Sequence, residues 1–243
     1  MTQSKNVLVT GATRGVGLAI SRRLVKDGYR LIGLSRQESE EYRDLTKTAE
    51  IGQVSFVRFD LSNLGDISSL VKQVILRHGP LYGLVNNAGL GLDGILATMH
   101  PSDISKALRI NLEAPILLSK FACRSMLVQG EGRIINISSI IAETGFSGLS
   151  VYGASKAGLM GFSRSLAREL GRAGVTVNCV MPGFMATDMT VGLQGEKLES
   201  VQRRAPLGLA SPADAAGAVS YLLSEDGVRV TGTSITVDGG STA

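Results

Sequence analysis

The chain has 243 residues, 44% of them hydrophobic and 19% charged, with a formal net charge of +4. That length supports one large core, and no Pro/Ser-rich linker, charge block or internal repeat argues for a second unit, so a single domain over 1–243 is expected. Lys and Arg are scattered rather than clustered, which speaks against a nucleic-acid surface, and with neither a signal-type leader nor an apolar run of about 18 residues a soluble, cytoplasmic protein is expected.

Short β-branched apolar runs alternate with helix-length periodic segments, a pattern of βαβ units on a parallel sheet. A strand at 6–10 leads into Thr10-Gly11-Ala12-Thr13-Arg14-Gly15-Val16-Gly17, and a helix follows at 16–27 with Gly28 as its stop. Glycines at a first strand-to-helix junction permit a tight turn, let backbone N–H groups approach a pyrophosphate and aim the helix N-terminus at the anion. The G-x-x-x-G-x-G spacing departs from the usual dinucleotide pattern, so position carries the reading more than spacing does.

The second strand, 30–35, ends in Ser35-Arg36, with no acid before Glu38. An acid there would accept from a ribose 2′-hydroxyl and repel a 2′-phosphate. Arg36, with Arg14 on the neighbouring turn, instead points to NADP(H). The third strand, 54–60, ends at Asp60, placed to accept from an adenine amine, and a helix at 64–78 follows. The fourth, 83–86, ends in Asn86-Asn87-Ala88-Gly89; Gly89 allows close cofactor approach, while Asn86 reads equally well as a tie between strands.

A long helix spans 102–129, a strand spans 133–138 with Ser139 at its end, and helices and strands continue at 151–171, 176–181, 212–224 and 234–237. Ser211 caps the helix at 212–224, Pro212 occupies its first position and Asp214 lies near the positive end of its dipole. Residues 185–204, polar and weakly periodic, sit where a flap over a site belongs. Cys123 and Cys179 lack zinc or redox spacing and read as buried thiols of a reducing compartment. No metal site is expected, since His78 and His100 have no ligand cluster around them.

Tyr152-Gly153-Ala154-Ser155-Lys156 places a phenol and an ammonium four residues apart, on one helical face. A free phenol titrates near ~10; a cation ~4 Å away at an effective dielectric of ~20 contributes ~4 kcal/mol, or ~3 pKa units, before desolvation opposes it. Such a pair can move a proton at a carbinol oxygen. The same helix carries a second apolar face, with Ala154, Ala157 and Phe162 interleaved with Gly158 and Gly161, which suggests burial against another copy of the chain.

Taken in order, TGATRGVG, NNAG, Ser139, YGASK, PGFMATDM and a terminal VDGG resemble the short-chain dehydrogenase/reductase family over essentially the whole length, most closely its 3-oxoacyl-acyl-carrier-protein and carbonyl reductases. The resemblance implies a single Rossmann-type α/β domain, a doubly wound parallel sheet of seven strands with helices on both faces. It implies a catalytic set of Asn111, Ser139, Tyr152 and Lys156. Ser139 would polarise the substrate carbonyl, Tyr152 donate the proton, Lys156 bind ribose and hold the phenol pKa down, and Asn111 interrupt its helix and position a water toward Lys156.

The cofactor side would comprise Gly11, Thr13, Arg14, Gly15, Val16, Gly17, Arg36, Asp60, Leu61, Asn87, Ala88 and Gly89. It continues with Tyr152, Lys156, Pro182, Gly183, Met185 and Thr187, the last four along the nicotinamide. The implied activity is NADPH-dependent reduction of a 3-oxoacyl thioester by a homo-oligomer, a tetramer by resemblance, with acyl carrier protein as partner. Phe146 and Leu149 stand where carrier-protein reductases often have Asn and Gln, and Gln129 lacks an expected basic residue, although Arg172 lies near the other. A reductase for a sugar, steroid, polyol or xenobiotic ketone is the nearest alternative. A non-catalytic NADP(H)-binding regulatory subunit is the other, against which the intact Asn111, Ser139, Tyr152 and Lys156 set speaks.

Overall fold

The computed structural model describes residues 5–185, 199 and 202–243. Seven parallel strands, β1 (Asn6–Thr10), β2 (Arg30–Ser35), β3 (Val54–Arg58), β4 (Leu81–Asn86), β5 (Gly132–Ile137), β6 (Val175–Pro182) and β7 (Ser234–Val237), lie in the order β3-β2-β1-β4-β5-β6-β7. Every neighbouring pair is parallel. The order reverses between β1 and β4, the point outside whose carboxyl ends an open α/β sheet binds its ligand.

The central strands read as near-continuous apolar runs because both their faces are covered. Successive side chains point to opposite sides, so Leu8, Leu84, Ile134 and Val177 build one core with the helices α3 (Ile67–His78), α5 (Ala114–Gln129) and α7 (Ser150–Leu170). Val7, Val9, Val85, Ile135 and Val180 build the other with α1 (Gly15–Lys26) and Pro212–Leu223. That last helix is α8 among the described residues, after α2 (Glu40–Thr48), α4 (Pro101–Leu108) and the short α6 (Ile141–Thr144). The Asp214 carboxylate accepts from both the N–H and the hydroxyl of Ser211, at 2.8 and 2.7 Å, as the expected cap of α8 requires.

Three expectations are amended. The helix read from periodicity as one run over 102–129 is broken into α4 and α5 by a π-type turn over Arg109–Glu113, centred on Asn111, the interruption that the family resemblance implied and a place where widened turns accompany functional sites. Helix α2 was not visible in the sequence, because it buries only Tyr42 and so lacks a repeating apolar stripe. Cys179 is buried as expected, but Cys123 is only half-buried, since it faces the edge of its core rather than the sheet. The expected flap at 185–204 falls largely outside the described residues. Among those described, no helix is long and apolar enough to cross a membrane.

Candidate active site

The crevice begins at the turn between β1 and α1. A side chain on Gly17 would run into the Gly11 carbonyl and lie 2.5 Å from Asn87 Nδ2, so only glycine lets the helix approach the strand this closely. Asn87 Nδ2 donates to the carbonyls of Thr10 and Gly11 at 2.9 and 3.2 Å, and the Thr10 hydroxyl accepts from the N–H groups of Asn87 and Ala88 at 3.0 and 2.9 Å. The β1 and β4 ends are thereby laced together at the switch point. Helix α1 has no acid in its first turn and no side-chain cap, which leaves the leading N–H groups of Gly15, Val16 and Gly17 as donors for an anion.

Thr13 is buried, its hydroxyl donating to Ser35 Oγ at 3.2 Å at the end of β2. Beyond Ser35, Arg36 is exposed, as is Arg14 across the crevice. Glu38, the first acid after β2, is engaged by Arg43 at 3.3 Å. Asp60 accepts from the Ser62 N–H at 2.9 Å; that bond, with a smaller contribution from Arg36, holds its carboxyl below the usual range. Leu61 beside it is buried.

On the other flank, β5 is followed by Ser138 and Ser139, and α7 packs against it. Lys156 is buried and donates to the Ile137 carbonyl at 2.8 Å, while the Ser138 hydroxyl donates to the Lys156 carbonyl at 3.0 Å. The Lys156 Nζ lies 5.7 Å from the centroid of the Tyr152 ring. Ser139 Oγ accepts from Ile141 N–H at 3.2 Å and so heads α6. Asn111, fully buried, exchanges two bonds with Leu90: Oδ1 accepts from its N–H at 2.7 Å and Nδ2 donates to its carbonyl at 2.9 Å. A methyl on Gly89 would fill the space between Lys156 Nζ, 3.5 Å away, and Asn111 Oδ1, 3.6 Å away. The bare backbone at Gly89 therefore keeps a small polar hollow open.

Burial sets the proton affinities here. The Tyr152 hydroxyl is pushed above its ordinary value by desolvation, with a hydrogen bond from Ser139 pulling the other way. Lys156 is pushed down from 10.5 to about 8 by the same cause. The expectation that the ammonium would lower the phenol is not met in the protein as it stands, because desolvation by burial is the largest influence on the phenol.

Sequence reasoning missed Ser155, which accepts from Asn111 Nδ2 at 3.3 Å and donates to the Tyr152 carbonyl at 2.7 Å. Its place three residues after Tyr152 on a helix is the signal for such back-bonding. Asn86 proves to be the strand tie, donating to Asn136 at 2.8 Å and Ser119 at 3.2 Å. Pro182 and Gly183 end β6 beside the Ser139 loop, the Pro182 carbonyl accepting from Ile140 N–H at 3.1 Å, and Met185 is buried. Thr187 lies outside the described residues.

A doubly wound sheet with a glycine turn at its switch point and a Ser, Tyr, Lys and Asn cluster opposite defines a dinucleotide-dependent enzyme class. A family model described as enoyl-(acyl carrier protein) reductase matches residues 11–242. The acetoacetyl-CoA reductase of Acinetobacter sp. (strain RA3849) is 37% identical over 99% of this chain and 98% of its own. The 3-oxoacyl-[acyl-carrier-protein] reductase FabG of Vibrio cholerae is 36% identical over 98% of this chain and 97% of its own, and carbonyl reductase family member 4 of Xenopus tropicalis is 38% identical over 98% of each. The chain belongs to the short-chain dehydrogenase/reductase family, and membership brings a nicotinamide dinucleotide as cofactor. The uncapped head of α1, the glycine-only contact at Gly17 and the open backbone of Gly89 fit such a group.

Proposed function

We propose that this chain is an NADPH-dependent reductase of 3-oxoacyl thioesters, acting as one domain with Asn111, Ser139, Tyr152 and Lys156 as its catalytic set. The observation that carries this reading is the convergence of Lys156 and Asn111 on the bare Gly89 backbone at the sheet's switch point, with Tyr152 one helical turn from Lys156, whose Nζ lies 5.7 Å from the centroid of the phenol ring. Relatives named acetoacetyl-CoA reductase and 3-oxoacyl-[acyl-carrier-protein] reductase, covering nearly the whole chain, support the substrate class.

The nicotinamide, when bound, supplies hydride to the carbonyl carbon. Ser139 donates a hydrogen bond to the ketone oxygen and polarises it. Tyr152 releases its phenolic proton to that oxygen as charge develops there. Lys156, still largely cationic at pH 7 with a pKa of about 8, stabilises the phenolate left behind and would hold the ribose hydroxyls of a bound coenzyme. Asn111, locked to Leu90, keeps the hollow at Gly89 open for a water that returns a proton.

The turn residues Gly11, Thr13, Gly15, Val16 and Gly17 would hold the pyrophosphate, Asp60 and Leu61 the adenine, Asn87, Ala88 and Gly89 the ribose, and Pro182, Gly183 and Met185 the nicotinamide, with Thr187 joining them as the resemblance implies. Arg36 and Arg14 select the 2′-phosphate. A charge-assisted phosphate contact contributes ~1.5–3 kcal/mol, so Arg36→Asp should lower kcat/KM for NADPH about 10- to 100-fold while leaving NADH nearly unaffected. Equal use of both coenzymes by the unaltered protein would overturn the assignment.

The exposed Ala154, Ala157 and Gly161 on α7 support assembly with further copies of the chain, and the absence of a spanning helix among the described residues is compatible with the cytoplasm. Phe146 is exposed on the loop after α6, and the relatives' names offer two carriers for the thioester, coenzyme A and acyl carrier protein. Following NADPH absorbance against an acetoacetyl thioester, the same acyl group on carrier protein, a simple β-keto ester and a sugar ketone decides between them. Turnover of the thioesters well above the sugar ketone is expected; the reverse order would sink the 3-oxoacyl reading.

A further inference from the structure

The carboxyl terminus carries a buried acid with no role in the chemistry above. Asp238, 8% exposed, follows β7, and its carboxylate accepts from Gly240 N–H at 2.9 Å, Ser241 Oγ at 2.9 Å and Thr242 Oγ1 at 2.7 Å. The chain end is thus rolled into a closed turn around one carboxylate. These bonds hold its carboxyl below the usual range, against the opposing effect of burial.

That turn meets the body of the protein at two places. Gly183 donates its N–H to the Val237 carbonyl at 2.9 Å, and Leu207 donates its N–H to the Gly239 carbonyl at 3.1 Å. The first contact is tight, since a side chain on Gly183 would come within 2.6 Å of Asp238 Cβ and 2.8 Å of its Cα. The backbone of β6 therefore rests directly on Asp238. On the far side Pro182 accepts from Ile140, next to Ser139. One rail of backbone contacts runs from the Ser139 loop through Pro182-Gly183 to the Asp238 turn, and a second contact from the same turn reaches the approach to α8.

We propose that Asp238 is a positioning residue for the nicotinamide border: by closing the terminal turn it fixes Gly183 and Leu207, one on each side of the connection between β6 and α8. This rests on the reading of Pro182-Gly183 as the edge on which the nicotinamide lies. Asp238 touches neither substrate nor coenzyme. It acts by holding Val237 and Gly239 with their carbonyls presented, so that the β6 end keeps one conformation instead of several and less ordering is left to binding. A neutral amide keeps the shape but gives up the charge-assisted bonds, whereas alanine gives up both.

The test uses the full chain, with Asp238→Ala, Asp238→Asn and the milder pair Ser241→Ala/Thr242→Val, which spares the carboxylate and removes two donors. Amide hydrogen exchange at Gly183 and Leu207, measured without coenzyme, should accelerate in all three, most in the alanine variant. The NADPH dissociation constant from fluorescence titration should rise about tenfold in Asp238→Ala, equivalent to about 1.4 kcal/mol, and less in the other two. The pH profile of kcat should keep its shape, because Tyr152 and Lys156 are untouched. Unchanged exchange at both amides overturns the clamp. Faster exchange and a lower melting temperature with an unaltered dissociation constant overturn the positioning role and leave a structural one. Failure of the unsubstituted protein to bind NADPH would instead sink the cofactor assignment, with the exchange data still deciding the clamp.

Discussion

Tyr152→Phe should lower kcat for ketone reduction by about 10²- to 10⁴-fold, the range that a positioned general acid contributes, while the NADPH dissociation constant stays within about twofold. The substitution deletes one hydroxyl at the end of a half-buried ring and leaves the helical backbone intact, including the Ser155 hydroxyl bonded to the residue-152 carbonyl at 2.7 Å. Ser139 still accepts from Ile141 N–H at 3.2 Å, so its loop keeps its anchor. Without the phenolic proton the ketone oxygen must take one from water, which the surrounding burial disfavours. Stopped-flow turnover and equilibrium coenzyme titration on the same preparation separate the two quantities. A variant that kept more than about a tenth of the rate would remove Tyr152 from the proton transfer. Loss of coenzyme binding in parallel would show that the ring, not the hydroxyl, is what the site needs.

The framework behind this result was legible for a physical reason. Strands buried on both faces are largely apolar, so Val7-Leu8-Val9 and Ile134-Ile135 announce themselves, and the seven expected strands appear with ends shifted by no more than two residues. Helix α2 announces nothing, because a helix with one buried side chain has no stripe to repeat. The Arg109–Glu113 turn is hidden from periodicity for a different reason, and only the family resemblance pointed to it: apolar residues run on through it, while Asn111 is committed to Leu90, 21 residues away.

The site divides in the same way. Tyr152 and Lys156 share a helix, and their spacing is readable in a line of text. The hold of Lys156 on the Ile137 carbonyl, of Thr10 on Ala88 and of Asp238 on Thr242 involves a backbone group or a short polar side chain, and neither type of partner leaves a pattern. Electrostatics was the least legible, since the sign of the Tyr152 shift depends on how much water the fold removes, and spacing carries no information about that.

Lys156→Met should abolish turnover and weaken NADPH binding, yet leave the cofactor-free protein at least as stable as the original at pH 7. Burial depresses the Lys156 pKa from 10.5 to about 8; at about 1.36 kcal/mol per pKa unit, keeping that ammonium charged inside the fold costs about 3 kcal/mol. Methionine fills a similar volume without the charge, but it leaves the Ile137 carbonyl unpaired, and an orphaned buried acceptor costs ~1–3 kcal/mol. The balance is a gain of about 1 kcal/mol, or ~2–4 °C in melting temperature for a chain of this size. Its pH dependence is the sharper signature. Between about 8 and 10.5 the unfolded chain holds the Lys156 proton and the folded chain releases it, so the original protein gains stability relative to the variant as pH rises through that window. Below about pH 8 the full cost is present and the variant keeps its advantage. Urea midpoints of both proteins at pH 7 and pH 10 read the difference directly. An advantage that fails to shrink with rising pH would mean that Lys156 sits in the folded chain with an ordinary proton affinity, and that the residue poised to hold a phenolate is not strained by its burial.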